Sequence, residues 1–599
     1  MKPFVKALHG SAAPRDNASL REVVNRTALT GTYFRRFTPS PRVPTRGPVK
    51  NKFEIPLDSG FRWHDEGAGL RIFMAFLLKL SAIHHRRHFS QNLFEMLHEK
   101  SIPQPDRWGH PAGLGALFFT ELWERFSYYG MRGLLILYMT APLATGGLGF
   151  DIAKAGAIYG LYGGLVYLAC LPGGWLADRL LGSSRATLIG GAFILSGHLC
   201  LAWPSTDTFY LGLGLIILGT GLLKPNVSTM VGQLYAPDDP RRDSGFSIYY
   251  MGINLGAFLA PLVCGWLALA PPFRARLSAW GIAPELAWHW GFGAAAVGMA
   301  FGLWSFVRGS ARFSPQSTRP AKSPGAREYR QLMVGLALAT IVVVPVVVLI
   351  AEGHLSIARV SDMFGGLLLA ATVIFFGWIF LDRGWTPLER HNLRIIVILF
   401  LAAVVFWSLF EQGGSTLTLF AARDTNRYLD FIGYEFPPTW YQSLNPLLII
   451  SLAPVFAWGW LRLGSRNPGA TTKFMLGLVF VAAGFGVLIF AAHLAESGLK
   501  VSPWWLVGTY FLHTIGELCL SPVGLSAMSR LAPARIAGLT MGVWFLATSV
   551  GNYLGGRVAS VYDAFTLPQL FAVVTAFGLI AAGVLALVLR QMSTHKETV

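Results

Sequence analysis

The run from Gly113 to Thr140 constrains this chain most. It is apolar enough to form one helix across a bilayer, which needs roughly 20 apolar residues. Yet it contains Glu121, Glu124, Arg125 and Arg132. An ionised side chain at mid-membrane costs about 2.5–3.5 kcal/mol on insertion scales, so four facing lipid would cost roughly 10 kcal/mol or more. At about 100° per residue, Glu121, Glu124, Arg125, Tyr128 and Arg132 share a stripe about 100° wide. The other faces carry Leu122, Phe126, Leu134 and Leu137, without the cationic flanks of a helix lying on a membrane surface. The stripe therefore predicts a polar pathway inside a helical membrane protein, with Glu121 and Arg125 as i,i+4 neighbours.

The rest of the chain fits that solvent. Only 13% of its 599 residues are charged, 53% are hydrophobic, and the mean hydropathy is +0.48. A soluble domain has about 25% charged residues. The net charge of +18 does not point to nucleic acid, because Lys and Arg sit mostly in short loops and in the N-terminal extension. Cys170, Cys200, Cys264 and Cys519 fall inside apolar runs and form no metal-binding or redox spacing.

Fourteen apolar runs follow residue 111, at approximately 112–141, 152–178, 185–204, 207–235, 244–268, 287–308, 328–352, 361–382, 394–421, 440–463, 473–495, 502–529, 538–560 and 567–590. Placing the N-terminus inside puts about twenty Lys and Arg in cytoplasmic loops and about eight outside, so both termini are expected in the cytoplasm. Residues 1–105 are basic and poorly periodic. They read either as a disordered extension, with a short amphipathic patch at Ala68–Ile83, or as sequence upstream of a true start at Met96. Residues 106–308 form a first group of six runs and 309–327 a basic linker. Residues 328–386 carry two runs almost free of charge, and 387–599 hold the last six.

Further polar residues interrupt these runs. Lys224, in Gly219-Thr220-Gly221-Leu222-Leu223-Lys224-Pro225-Asn226, must pair, meet water or bind an anion at that depth. Asn254 lies in Tyr249-Tyr250-Met251-Gly252-Ile253-Asn254 and offers a donor and an acceptor; an interhelical hydrogen bond alone is the plainer role. Trp407 and Glu411 stand one turn apart. Asn445 follows Trp440-Tyr441-Gln442. His513 precedes Glu517 by one turn and reads first as a packing residue. Trp544 lies in Gly542-Val543-Trp544-Phe545. Within the spans, Glu121, Glu124, Glu411 and Glu517 oppose Arg125, Arg132 and Lys224. One carboxylate lacks a cation, and close carboxylates such as Glu121 and Glu124 resist joint ionisation. A protonatable site follows.

The pattern Glu121-x-x-Glu124-Arg125-Phe126-x-Tyr128-Tyr129-Gly130 resembles the signature of the proton-dependent oligopeptide transporter family, a branch of the major facilitator superfamily. The segments around Lys224, Asn254, Trp407–Glu411, Asn445, Glu517 and Trp544 resemble further motifs of that family, so the likeness covers most of 109–565 and none of 1–105. It implies an all-α major facilitator fold: two six-helix bundles around a central cavity, plus an inserted peripheral hairpin at 328–386. Asp178 and Arg179, in Gly173-Gly174-Trp175-Leu176-Ala177-Asp178-Arg179, resemble the superfamily's conformational loop motif.

The resemblance also implies a function: proton-coupled import of di- and tripeptides at a bacterial-type inner membrane. Arg125, by two parallel bonds, and Lys224 would take the peptide carboxylate. Glu517 would take the ammonium, helped by Asn254 and Asn445, while Tyr129, Tyr167, Trp407 and Trp544 would line side-chain pockets. Glu121, Glu124 and Glu411 would handle protons, with Arg132–Glu411 as the outer gate and Lys224–Glu517 as the inner one. The expected partners are short peptides, protons and lipid. No cofactor or metal is called for beyond the coupling proton, and oligomeric state is not legible. A same-fold carrier of nitrate, an amino-acid conjugate or a peptide-like drug is the alternative; the presence of both the Glu121-Glu124-Arg125 group and Lys224 favours peptides. The spans hold no nucleophile–base pair or phosphate loop that would suggest an enzyme.

Overall fold

The computed structural model describes residues 109–236, 238–320 and 323–594; the extension at 1–105, its amphipathic patch and Met96 lie outside them. Helix dominates because a chain in hydrocarbon must satisfy its backbone internally. In order come α1 (Gly113–Thr140), α2 (Ile152–Leu168), α3 (Cys170–Leu176), α4 (Ser183–Leu201), α5 (Thr206–Gln233), α6 (Arg242–Leu269), α7 (Pro271–Ala279) and α8 (Ala287–Gly309). Then follow α9 (Ala326–Ala351), α10 (Ile357–Leu381), α11 (Pro387–Phe410), α12 (Thr416–Arg423), α13 (Leu444–Leu463), α14 (Ala470–Ala495), α15 (Trp504–Leu531), α16 (Ala537–Ala559) and α17 (Leu567–Thr594). Among the described residues, 11 helical segments are long and apolar enough to cross a membrane. The helices α1, α15 and α16 have the length, at 28, 28 and 23 residues, but stand outside that set. Each carries polar groups used below.

Two groups of helices form. In the first, α1 packs on α6 and α8, and α4 on α5 and α8. In the second, α14 packs on α15 and α17, and α11 on α16. The principal seam between them is α2 against α16, and α6 meets α13 and the turn that precedes it. At the α2–α16 seam two glycines allow backbone contact: a Cβ on Gly556 would lie 2.2 Å from the Gly160 Cα.

Three spans depart from the expected single helices. The second bends at Ala169 and ends in a π-helical turn, Ala177–Leu181, on which Asp178 and Arg179 are exposed. The eleventh helix stops at Phe410, continues as a 3-10 turn Glu411–Gly414, and resumes as α12. The expected span at 440–463 opens instead as a 3-10 turn, Pro438–Ser443, that runs into α13. An entirely helical chain was also expected; the loop after α12 instead pairs Tyr428–Leu429 with Tyr434–Glu435 as a two-stranded antiparallel ribbon. Gly433 (φ 61°) supplies the left-handed residue of its turn.

All loops bearing the basic residues counted above lie at one end of the helices, hereafter the basic end. The ribbon, α7 and the loops after α1, α14 and α16 lie at the opposite end. The helix α9 buries none of its residues, whereas α10 buries Ser361, Phe364, Leu368 and Ile379.

Candidate functional site

The charged stripe of α1 is buried as a set. Glu121, Glu124 and Arg125 are at most 3% exposed and Arg132 is 9%. Arg125 Nη2 donates to Glu124 Oε1 (2.7 Å), its Nε donates to Glu124 Oε2, and the same Nε lies 3.2 Å from Glu121 Oε1. Neither oxygen of Glu124 is therefore spare. Glu121 differs, because its Oε2 is buried without a hydrogen-bond partner among the described residues. The sequence proposed both carboxylates as proton holders; the contacts single out Glu121 as the one with an oxygen to spare.

The Nε–Nη2 edge of Arg125 is occupied by Glu124, so a two-bond grip on a carboxylate would use its Nη1–Nη2 edge. Lys224 is the cation without such a partner. Its ammonium lies 3.9 Å from the centre of the Tyr167 ring, a cation–π contact, and makes no ion pair among the described residues. Lys224 also lies within electrostatic range of Glu121, Glu124 and Arg125. Pro225 follows it inside α5.

Across the seam, Asn445 Nδ2 donates to Glu517 Oε2 (2.9 Å) and to Thr514 Oγ1 (3.1 Å), tying α13 to α15. Glu517 lies within electrostatic range of Tyr129 and Tyr250 of the first helix group. Residues Tyr129, Lys224, Trp407, Asn445, Glu517 and Trp544 are all half-buried. The Trp407 indole N–H has no hydrogen-bond partner among the described residues. Asn254 is buried and donates to its own helix at Tyr250 O (3.0 Å), so in this conformation it holds α6 rather than reaching the second group. His513 packs against Phe410 and Phe485 and is 2% exposed, as a packing residue should be.

The third constellation joins the two groups. Arg132 Nη2 pairs with Glu411 Oε2, and donates to the Glu411 backbone oxygen (3.2 Å). Arg132 Nε donates to Tyr159 OH (2.8 Å). The break in the helix at Glu411–Gly414 makes that backbone oxygen available. Gly414 is needed beside it, since a Cβ there would sit 2.0 Å from the Tyr159 hydroxyl. Tyr159 was not singled out from the sequence; its offset of eight residues from Tyr167, placing both on one face of α2, was the available signal.

Other bonds between the groups lie at mid-depth or toward the opposite end. Ser549 donates to Gly164 O (2.7 Å), Ser443 to Phe258 O (2.8 Å), Thr439 to Pro261 O (3.2 Å) and Trp440 Nε1 to Leu262 O (3.2 Å). Toward the basic end, Lys224 and Glu517 form no ion pair with each other. Among the described residues, the Arg132–Glu411 pair is thus made and the Lys224–Glu517 pair is not. A cavity of about 460 Å³ at the opposite end, lined by Thr140, Trp288, Arg423, Arg427 and Glu435 among others, shares none of the residues above.

Comparison with known proteins agrees with this architecture. The model of the POT family matches residues 184–576. The chain is 42% identical over 501 residues to the peptide transporter YePEPT of Yersinia enterocolitica, covering 80% of this chain and 94% of that protein. It is 38% identical over 494 residues to a di-/tripeptide transporter of Lactococcus lactis subsp. cremoris, covering 81% and 96%. A solved peptide transporter POT in complex with sulfate aligns with a TM-score of 0.75 at 42% identity, over 82% of this chain and 97% of that one. A POT family transporter in complex with 5-aminolevulinic acid aligns with a TM-score of 0.74 at 33% identity, over 81% and 98%. With a family match over most of its length and relatives this similar along nearly their whole length, the chain belongs to the POT family.

Proposed function

We propose that the protein is a proton-coupled importer of di- and tripeptides working by alternating access in a bacterial inner membrane, with its basic end in the cytoplasm. The observation that carries the reading is the asymmetry of its two cross-seam charge pairs: Arg132–Glu411 is made and Lys224–Glu517 is apart. Relatives that share about two-fifths of its sequence are a peptide transporter and a di-/tripeptide transporter, which supports peptides as the cargo.

A dipeptide is a zwitterion, and the site offers its complement. Lys224, with Arg125 within electrostatic range, receives the carboxylate; Glu517, oriented by Asn445, receives the ammonium. Tyr129, Tyr167, Trp407 and Trp544 present aromatic faces that accept varied side chains without strict geometry. Holding one end in each helix group, the peptide draws the basic end shut. A proton on Glu411 removes the charge that retains Arg132, and the opposite end opens. Return of the proton to the cytoplasm remakes the pair. Glu121, with Oε1 beside Arg125 and Oε2 spare, is a second proton position, linking protonation to the carboxylate-binding cation. Asp178 and Arg179, on the π-helical turn at the basic end, belong to the half that must rearrange when that end closes.

The test is transport in proteoliposomes. Glu411→Gln mimics the protonated gate permanently, so uptake driven by an inward proton gradient should be lost while peptide counterflow persists. Gradient-driven uptake at the full rate would refute the coupling. Competition of labelled dipeptide uptake by nitrate, but not by unlabelled dipeptide, would replace the peptide with another solute.

A further inference from the structure

The hairpin α9–α10 has no part in the constellations above, and its two helices differ sharply. α9 buries nothing, while α10 is tied to α16 at both ends. Near the opposite end, Arg557 of α16 pairs with Asp362 of α10 (2.8 Å). Near the basic end, Arg535, in the turn leading into α16, pairs with Asp382 (3.3 Å) and lies 3.5 Å from the ring centre of Trp385. Both pairs stand on the flank of the bundle, where an unpartnered charge facing lipid is costly.

Between the two ties sits Phe364, 7% exposed. Its ring meets Tyr553 of α16 edge-to-face at 5.7 Å between centroids. It also abuts α2, where a Cβ on Gly164 would come within 2.7 Å of it. Gly365 leaves room for the Tyr553 hydroxyl, which a Cβ there would approach to 2.3 Å. Phe364 therefore keys into the α2–α16 seam from outside, at the level where Ser549 bonds to Gly164.

We propose that α10 is a brace laid across the α2–α16 seam, packed chiefly on α2 and paired by charge with α16, and that Asp362, Arg557 and Phe364 are positioning residues which favour the state closed at the opposite end. The inference rests on the alternating-access reading above. When α2 and α16 part, α10 cannot keep both neighbours, so either Phe364 loses α2 or Asp362 loses Arg557. The two contacts coexist only in the closed state and weight the equilibrium toward it. The helix α9 contributes nothing to that weighting.

Double electron–electron resonance on the full chain in nanodiscs tests this, with native cysteines replaced and labels at Ala153→Cys and Val561→Cys. In the parent chain, acid with a dipeptide should populate a longer α2–α16 distance. Phe364→Ala, Phe364→Leu and Asp362→Asn should each raise the long-to-short ratio roughly 3- to 30-fold without acid, the range expected for residues that couple distant sites. The swapped pair Asp362→Arg with Arg557→Asp should restore the parent ratio, and Val343→Ala on α9 should leave it unchanged. If the parent interconverts and the variants match it, or the swap fails to restore the ratio, the brace is overturned. A parent chain with one fixed distance under every condition would instead overturn alternating access, and the brace with it.

Discussion

Gly556→Ala should hold the opposite end ajar. The added Cβ would lie 2.2 Å from the Gly160 Cα, against an ordinary carbon–carbon contact of about 3.5–4.0 Å, so α2 and α16 must separate there by roughly 1.5 Å. No side chain can rotate away, because the obstacle is backbone. Overpacking of this kind costs about 1–3 kcal/mol. It falls on the closed state alone, which shifts the open-to-closed ratio by about 5- to 150-fold. A separation of that size also stretches the Ser549–Gly164 bond of 2.7 Å and the Arg132–Glu411 pair. Ser549 is wholly buried, so a cysteine at Ser549 in a background without native cysteines should react with an impermeant thiol reagent slowly in the parent and at least several-fold faster with Gly556→Ala. Gradient-driven peptide uptake should fall with it, since the cycle must pass through the closed state. Equal labelling and unimpaired uptake would show that the seam does not close the mouth as described.

Lys224→Gln should weaken dipeptide binding about 10- to 150-fold, the worth of a hydrogen bond to a charged group, measured as competition for uptake. A C-terminally amidated dipeptide should be nearly indifferent to the change, and an equal loss for both would remove Lys224 from the carboxylate. Away from the spans, burial raises the Asp424 carboxyl above its ordinary value, while Tyr562 OH donates to its Oδ2 (3.1 Å). A raised carboxyl costs stability where it is ionised, and that cost fades as pH falls through its folded value. Asp424→Asn keeps the acceptor, so it should raise the thermal midpoint at neutral pH and leave it unchanged near pH 3.

Much of this molecule was legible in one dimension because hydrocarbon forgives so little. Four ionised groups on the Gly113–Thr140 run had to share a face, and they do. Loop charge and apolar length placed the helix limits to within a few residues at most spans, and missed where carbonyls and turns are satisfied by neighbours, as at Ala169 and Glu411–Gly414. Arg557 escaped the count of charges within the spans, because its partner Asp362 is nearly two hundred positions away and no local spacing announces the pair.

The amino-acid order by itself determined that polar side chains would gather inside a helical membrane protein, since each alternative costs several kcal/mol per charge. Which groups hold one another was decided only by packing. Arg125 could reach Glu121, Glu124 or a ligand from its place on α1, and the fold gave its Nε–Nη2 edge to Glu124. Arg132 found Glu411 because α2 and α16 bring the two helix groups into backbone contact at Gly160 and Gly556, a meeting of surfaces that exists only once the helices have assembled.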